Sequence, residues 1–570
     1  MKKLPHSKYY WIVLLVLVLL INWIAGLVPF RADLTAEGRY TLSKPARQLL
    51  TGLNEPVSVD VLLSGEMPAG FRKLANSTND LLQEFKSAGK TNFRFRFIKP
   101  GEGLNDSSKA ILYDSLANLG LNPTNIKAQT KEGEGQEERL VFPGAVITHK
   151  GRTTAIDLLQ GVSSEGGLES LNKAEALLEY KFANAIRQLN QDTVPLIGYL
   201  VGNGEPESYQ VYDLIENVLK KNYAFRILPI DSVPIIPPVF DALIVAKPSI
   251  AFGDDQKLKI DQYVMQGGKM LWMIDNLYAE MDSLQRSQAD FIAFDRGLQL
   301  EDLLFKYGVR INQDLLQDLN ADKIPSVIGS VGGKPQIQLL PWPYFPLLSN
   351  YSGHPVAKNM DYVLSQFPNS IDTVEAKGIR KNILLSSSID TRLLATPARV
   401  SWQSIETEDD LKTFNQGNKP VAVLLEGSFS SLYANRATAE ERAALQAAGQ
   451  PFNTSSPENK MIVIADGDIA LNAVTQNEGP LPMGMNSYTK YQYANRDFIQ
   501  NCIEYLVDES GILETRGKDF TLRLLDKKKM EAAKTKWQLI NILVPVLLII
   551  LFGLVYQWWR KHRYQGKTEK

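Results

Sequence analysis

Residues 9–30, YYWIVLLVLVLLINWIAGLVPF, hold no charged side chain, and Asn22 is their one strongly polar interruption. An α-helix rises 1.5 Å per residue, so this run is long enough to cross the ~30 Å hydrocarbon core of a bilayer. Tyr9, Tyr10 and Trp11 sit at one end, with Trp23 and Phe30 near the other, where interfacial aromatics belong. A cleaved signal peptide needs a shorter apolar region and a small-residue cleavage site. Ala25-Gly26-Leu27 matches that poorly and the apolar run continues to Phe30, so an uncleaved anchor is expected. Residues 537–559 form a second uncharged run, ILVPVLLIILFGLVY among them, in which Pro545 and Gly553 are tolerated by a membrane helix. Lys2, Lys3 and Lys8 place residues 1–8 on the cytoplasmic side, and two spans return 560–570 to that side. The second run has lysines or arginines on both flanks and sets no orientation by itself. Everything between the spans is then one large outer region.

The totals narrow the function. The chain has 570 residues and a net charge of −1, so it projects no basic field toward nucleic acid. The single cysteine, Cys502, excludes an intramolecular disulfide and a cysteine zinc site. Of the four histidines, His6, His149, His354 and His562, none falls in HExxH, and no metal site is expected.

After the first anchor comes Arg31-Ala32-Asp33-Leu34-Thr35-Ala36-Glu37-Gly38-Arg39-Tyr40-Thr41-Leu42-Ser43. Ser43 is a suitable N-cap, with Pro45 in the first turn of a helix through Leu50. Val57, Val59 and Val61 alternate with Ser58 and Asp60 as in a strand, and Phe93, Phe95 and Phe97 alternate with Arg94 and Arg96. The arginine face invites an anion, but a solvated sheet face explains it as well. Phe71 to Phe85 and Leu171 to Leu189 have helical spacing. Residues 101–108 and 128–138 read as polar loops, and Val141 to Thr148 as a strand kinked at Pro-Gly. A first α/β domain over residues 31–190 is expected.

The next stretch has a clearer rhythm. Val194 to Val201 is a buried parallel strand, followed by Gly202-Asn203-Gly204-Glu205-Pro206-Glu207 and a helix over 209–222. Strands over 225–230, 240–246 and 269–274 alternate with a helix from Asp254 to Met265, which implies a doubly wound sheet. Residues 280–415 break the rhythm: a helix over 295–309, the proline-rich PWPYFPLL at 341–348, and His354-Pro355-Val356. They read as an inserted lobe. Strands resume at Pro420 to Leu425 and Met461 to Ala465, Asn495 to Val507 is a closing helix, and 513–536 is a basic helical stalk. Residues 191–279 and 416–512 thus compose the second domain.

The run RxDLTxExRYTLS, placed directly after a membrane helix, resembles the gliding-motility-associated ABC transporter auxiliary proteins, the substrate-binding-like component of the gliding machinery, within the ABC-transporter auxiliary domain family. Its residues are Arg31, Asp33, Leu34, Thr35, Glu37, Arg39, Tyr40, Thr41, Leu42 and Ser43. YGVRIN at 307–312, HPV at 354–356, VIADGD and NRDFIQNCIEYL at 495–506 extend the likeness over nearly the whole chain. The resemblance implies a second domain of class I glutamine amidotransferase-like fold, a periplasmic location for the bulk of the chain and a two-pass inner-membrane topology. The implied partners are a separate ABC ATPase and a multi-span permease, with other gliding or envelope proteins, and the implied role is docking or mechanical coupling. A solute-binding subunit is the alternative.

Catalytic motifs are missing. GNGEPE lacks the third glycine of GxGxxG, and Glu205 and Glu207 would repel a phosphate. Neither Lys269 nor Lys334 stands in GxxxxGK[ST], so ATP hydrolysis needs another subunit. Amidotransferase chemistry needs a cysteine on a strand-end elbow; Cys502 lies in the closing helix. GxSxG is absent, and Gly427-Ser428-Phe429 reads as a turn, which leaves a hydrolase built on Ser428 or Asp466 as the weakest reading. The chain is therefore expected to be no enzyme and to need no cofactor. What remains is the crevice outside the carboxyl ends of the strands. Asn203, Glu205, Lys247, Asp275, Asp466 and Asp468 fall there. Several carboxylates together suit a cation or an amine, while Asp and Asn at strand ends also serve as ordinary turn and cap residues.

Overall fold

The computed structural model describes residues 13–20, 41–65, 67–121, 123–129, 136–159, 167–191, 193–287, 290–405, 407–517 and 527–565. Of the anchor expected at 9–30, residues 13–20 are helical; the rest of it, and signature residues 31–40, lie outside the described residues. The chain divides into two units, Met1–Phe520 and Thr521–Lys570.

The first unit opens with α1 (Lys44–Thr51), which Ser43 caps by accepting from the Ala46 amide at 3.3 Å. Strands β1 (Val57–Val61) and β2 (Phe93–Phe97) run parallel, joined over α2 (Ala69–Gly89). Phe93 meets Phe85 of α2 edge-on at 5.7 Å. On the opposite face Arg96 pairs with Asp60, its Nε 2.5 Å from the carboxylate, so that arginine already has its counter-ion. The expected loop at 101–108 is partly a helix, α3 (Asp106–Asn118), capped by Asn105; Leu116 is its buried residue, so no apolar stripe announces it. Part of 128–138 is likewise strand, since Thr124–Gln129 and Gln136–Val141 pair as a hairpin. Antiparallel β3 (Gly144–His149) and β4 (Arg152–Asp157) complete a four-stranded sheet in the order β2-β1-β3-β4.

Helix α4 (Gly167–Asn190) presses Ala174, Leu178, Phe182, Ile186 and Leu189 into a core that Val57, Val59 and Val61 share with Ile197 and Tyr199 of the next sheet. Apolar packing is thus continuous across residue 190.

The main sheet contains β5 (Leu196–Val201), β6 (Ala224–Pro229), β7 (Ala242–Ala246), β8 (Lys269–Met273), β9 (Ala321–Val331), β10 (Lys334–Asn350), β11 (Ile379–Ser386), β12 (Pro420–Ser430) and β13 (Ser455–Ile464). Their order is β9-β10-β11-β12-β13-β8-β7-β5-β6. The half β13-β8-β7-β5-β6 is parallel. Successive residues there point to opposite cores: Ile244, Leu271 and Ile462 face α4 and α7 (Asn495–Val507), while Val245, Trp272 and Val463 face α5 (Asp254–Met265). Helices on both faces make this half doubly wound. The other half is antiparallel, and three of its strands come from residues 280–415. That stretch extends the main sheet as well as carrying its own aromatic cluster around Trp342.

Two local expectations change, and the proline-rich run takes a definite conformation. The helix expected over 295–309 is confined to α6 (Glu301–Tyr307), because Gly297 and Gln299 take φ of 67° and 59°, which a right-handed helix cannot hold. PWPYFPLL is strand, part of β10. Gly427-Ser428-Phe429 is no turn; β12 runs through it to Ser430, and Gly427 lets the Gly378 carbonyl approach to where a Cβ would stand 2.0 Å away.

The second unit holds α8 (Lys527–Gln565). Within it Lys534–His562 is, among the described residues, the one helix long and apolar enough to cross a membrane.

Candidate functional site

The parallel half reverses direction at β5 and β7. From β5 the chain moves outward to β6; from β7 it moves the other way through α5 to β8. Adjacent strands whose connections part in this manner leave a crevice beyond their carboxyl ends. Four strand-end loops build it.

Lys247 follows β7 in a left-handed backbone, φ 46°. Its main chain is tied down by a hydrogen bond from its amide to the Met273 carbonyl at 2.8 Å. Its Nζ donates to Asp468 Oδ1 and lies 3.2 Å from Asp275 Oδ2. Gly467 makes room: a Cβ there would come within 2.7 Å of the Lys247 Cβ. Asp275, after β8, accepts from the Gly467 amide. Asp466, after β13, accepts from Ser365 Oγ, from the Gln366 amide at 3.0 Å and from the Asp468 amide at 2.7 Å. Carboxylate oxygens of Asp275, Asp466 and Asp468 lie within 4.8 Å of one another. Lys247, Asp275, Asp466 and Asp468 therefore meet in one cluster.

Asn203 and Glu205 sit in the neighbouring loop. The Asn203 carbonyl accepts from the Ser249 and Ile250 amides, both at 2.8 Å, which joins this loop to the one bearing Lys247. Glu205 turns back on its own loop to accept from the Asn203 amide at 2.8 Å.

Electrostatics follow from burial. Asp466 is pushed well above the carboxylate range by burial and by the charges of Asp275 and Asp468. Asp468 is pushed up to about 6 by burial, against the pull of Lys247. Burial disfavours the Lys247 ammonium, but Asp468 and Asp275 outweigh it and hold its pKa above the ordinary lysine value. Burial also raises Glu205. The ammonium stands where a cation would stand, so a metal would have to displace it. The triad is a cage closed by the chain's own lysine.

Beside the cage is a cavity of about 280 Å³, lined by Gly204, Lys247, Ser249, Glu280, Arg296 and Asp468 among others. The Arg296 side chain is 4% exposed; it bonds Glu280 at 3.1 Å and approaches Asp275 Oδ2 at 3.8 Å. Its Nε, buried, has no hydrogen-bond partner. Sequence reasoning missed Arg296 and Glu280, and also Ser365 and Gln366. Arg296 fell inside an expected helix, and Ser365 reaches the cage from the far side of the 280–415 stretch. Among the described residues, the one hydroxyl that meets a carboxylate of the cage is Ser365, which donates to Asp466. Ser365 is fully buried. Cys502 is buried in α7, and burial pushes its thiol well up. Ser428 lies toward the opposite end of β13, opposite Glu458, and bonds the Ser456 carbonyl at 2.6 Å.

A family model described as an ABC-type uncharacterized transport system matches residues 195–502, more than half of the chain, and a domain of unknown function matches residues 36–148. An uncharacterized protein of Borreliella burgdorferi is 18% identical over 544 residues, 92% of each chain. Among solved structures, an IFT52 N-terminal domain aligns at a TM-score of 0.29 and 10% identity, covering 55% of this chain and 96% of that one. An exo-beta-1,4-mannosidase from Opitutaceae bacterium strain TAV5 aligns at 0.19 and 12% identity, covering 75% and 51%. Scores of that size carry no argument about fold or function.

Proposed function

Because the chain belongs to the family described as an ABC-type uncharacterized transport system, we propose that it is a non-catalytic, membrane-anchored auxiliary subunit of an ABC transporter complex. The family match over 195–502 is the observation that carries this reading. The closed cage agrees with it: Lys247, Asp275 and Asp468 are spent on one another, and the Ser365 hydroxyl that meets Asp466 is fully buried. In this reading the anchors at 9–30 and 537–559 keep both termini in the cytoplasm, and the bulk of the chain lies in the periplasm, held to the inner membrane. The outer region keeps an amidotransferase-like layout without its nucleophile, and docks an ABC ATPase and a multi-span permease or couples their motion, as in the gliding systems it resembles.

A pull-down of the tagged full-length chain from detergent-solubilised native membranes tests this. Co-purification of an ATPase and a permease in fixed ratio is expected; recovery of the chain alone in several mild detergents refutes it.

A second reading, a solute-binding subunit, is favoured by the cavity at the switch point and the unpaired Arg296 Nε that lines it. A thermal-shift screen of metabolites on wild type and Arg296→Gln separates the two. A shift in wild type that the variant loses supports solute binding, and no shift with any compound counts against it.

A further inference from the structure

Strands β9 and β10 form a ribbon that runs well beyond the sheet. They pair from Lys323 opposite Pro341 out to Val331 opposite Lys334, whereas β10 meets β11 at Ser349 and Asn350. Among the described residues the outer ribbon is therefore paired with itself alone. At its tip, Gly332 and Gly333 take φ of 59° and 79°, and nothing lies within 4 Å of where their Cβ atoms would be.

The ribbon has two unlike faces. Pro325 stands opposite Leu339 and Val327 opposite Ile337, two residues apart on each strand, so these four share a face. Ser326 and Gln338, opposite one another, occupy the other. Val327 and Ile337 are each 62% exposed, and Ile328, beside a register shift, and Leu339 are exposed as well. Charge on the outer ribbon has one sign: Lys323 and Lys334 are exposed, and no acidic residue occurs from 323 to 360. Asp322, at the inner end of β9, is buried and accepts from Asn486 and Tyr493.

Two occupants fit an apolar, basic arm: another strand or a lipid surface. Strand addition needs backbone N–H donors along an open edge, and proline removes them. Pro325 in β9 and Pro335 and Pro341 in β10 interrupt the ribbon edges. The arm is therefore built to bind through its face. An aliphatic face with Lys323 at its base and Lys334 at the ribbon tip, and no acid between them, complements the acyl boundary and headgroups of an anionic bilayer. We propose that the β9–β10 arm docks onto anionic lipid. The reading of Lys534–His562 as an anchor supplies the bilayer at high local concentration, but the lipid chemistry of the arm stands without it.

Cys502 is the sole cysteine and is buried, so Ser330→Cys can be labelled selectively with an environment-sensitive dye in the full-length chain. The chain is placed in nanodiscs of phosphatidylcholine alone or mixed with phosphatidylglycerol, with Gln446→Cys as the control position. A blue shift and quenching by lipid-borne quenchers in the anionic discs, absent from the control, are expected. Each lysine near an anionic surface contributes roughly fivefold in partitioning, so Lys323→Gln with Lys334→Gln should reduce the anionic preference about 25-fold. Equal emission in both compositions overturns the proposal. So does a shift that follows the number of chains per disc and ignores lipid charge, which would assign the arm to a second copy. If the chain does not enter nanodiscs, the same dye read against vesicles of both compositions still tests the arm, and the two failures stay distinct.

Discussion

Replacing Lys247 with Met removes the ammonium from a cage of three carboxylates while keeping most of the side-chain volume. At 3.2 Å from Asp275 Oδ2, and with an effective dielectric of ~20, one such pair attracts by about 5 kcal/mol. Desolvation offsets much of that, and removal of one partner from a buried pair costs about 3–5 kcal/mol. The loss should depend on what is left unpaired: in Lys247→Met with Asp468→Asn, at least about 1 kcal/mol should return through the coupling of the two sites. The pH dependence has a definite sign. Asp468 has a folded pKa of about 6, above the unfolded value of about 3.9. Its contribution to stability is therefore full below the unfolded pKa and is lost as pH rises through about 6. Without Lys247 the Asp468 pKa climbs further, so the variant should gain more than wild type on going from pH 7 to pH 5, and Asp468→Asn should abolish that difference. Urea unfolding of the full-length chain in detergent, followed by tryptophan emission, reads it, since buried Trp272 sits in β8 beside the cage. A Lys247→Met protein as stable as wild type at pH 7, or a double variant no better than the single, would refute the account of the cage as a lysine-neutralised cluster.

Gly427→Ala puts a Cβ 2.0 Å from the Gly378 carbonyl oxygen at φ 139°, so a destabilisation of about 2–4 kcal/mol is expected in the same unfolding assay; an unchanged midpoint would mean that β11 and β12 part freely there. Glu504 in α7 accepts from Tyr180, from Asn184 at 3.2 Å and from Arg187 at 3.2 Å, all in α4. Glu504→Leu should cost about 3–5 kcal/mol, and hydrogen exchange should speed up in both helices together. Trp342 is buried among Tyr344, Phe345, Phe367 and Trp402. Trp342→Ala should lose about 3–5 kcal/mol, with proteolysis of residues 290–402 as the readout and an unchanged cleavage pattern as the contrary result.

The parallel half of the main sheet was legible because its inner strands are buried on both faces and read as apolar runs, Leu196–Val201 ended by Gly202, Ala242–Ala246 by Lys247 and Lys269–Met273 by Asp275 after Ile274. The edge strand β6, largely exposed and carrying Arg226, has the weaker pattern. The carboxyl-end rule then picks out Lys247, Asp275, Asp466 and Asp468 as neighbours without any distance. The rule places residues at one edge of a sheet and is silent on pairing, so the ammonium inside the cage does not follow from it. The antiparallel half was hidden by its prolines: Pro341, Pro343 and Pro346 argue against a strand, yet β10 takes all three, its outer length paired on one side alone. Arg296 was missed because LEDLLFKY carries a helical pattern that a reader extends backward over Gly297 and Gln299, whose left-handed backbones stop it. The short α3 has a single buried residue and gives no periodic signal. Signature residues 31–40 lie outside the described residues, and their resemblance rests on the sequence.

The cage also determines what its neighbouring cavity can be. Lys247 adopts a left-handed backbone that costs a non-glycine residue roughly 1–2 kcal/mol, and it persists because the Met273 carbonyl, the space over Gly467 and two carboxylates all hold it. Lys247 follows β7, Asp275 follows β8 and Asp468 follows β13, so one ammonium ties together the ends of three strands that are neighbours in the sheet. Lys247, Asp468 and Arg296 also line the cavity. Opening the cage therefore moves the cavity wall, and the two properties must change together: a Lys247 or Asp468 variant that alters stability should alter any ligand affinity of the cavity, whereas a variant of Gln210, which lines the cavity and carries no charge to join the ion pairs, should change affinity alone. A Lys247 variant with lowered stability and intact affinity would separate the cage from the cavity and leave the ammonium a purely structural clasp.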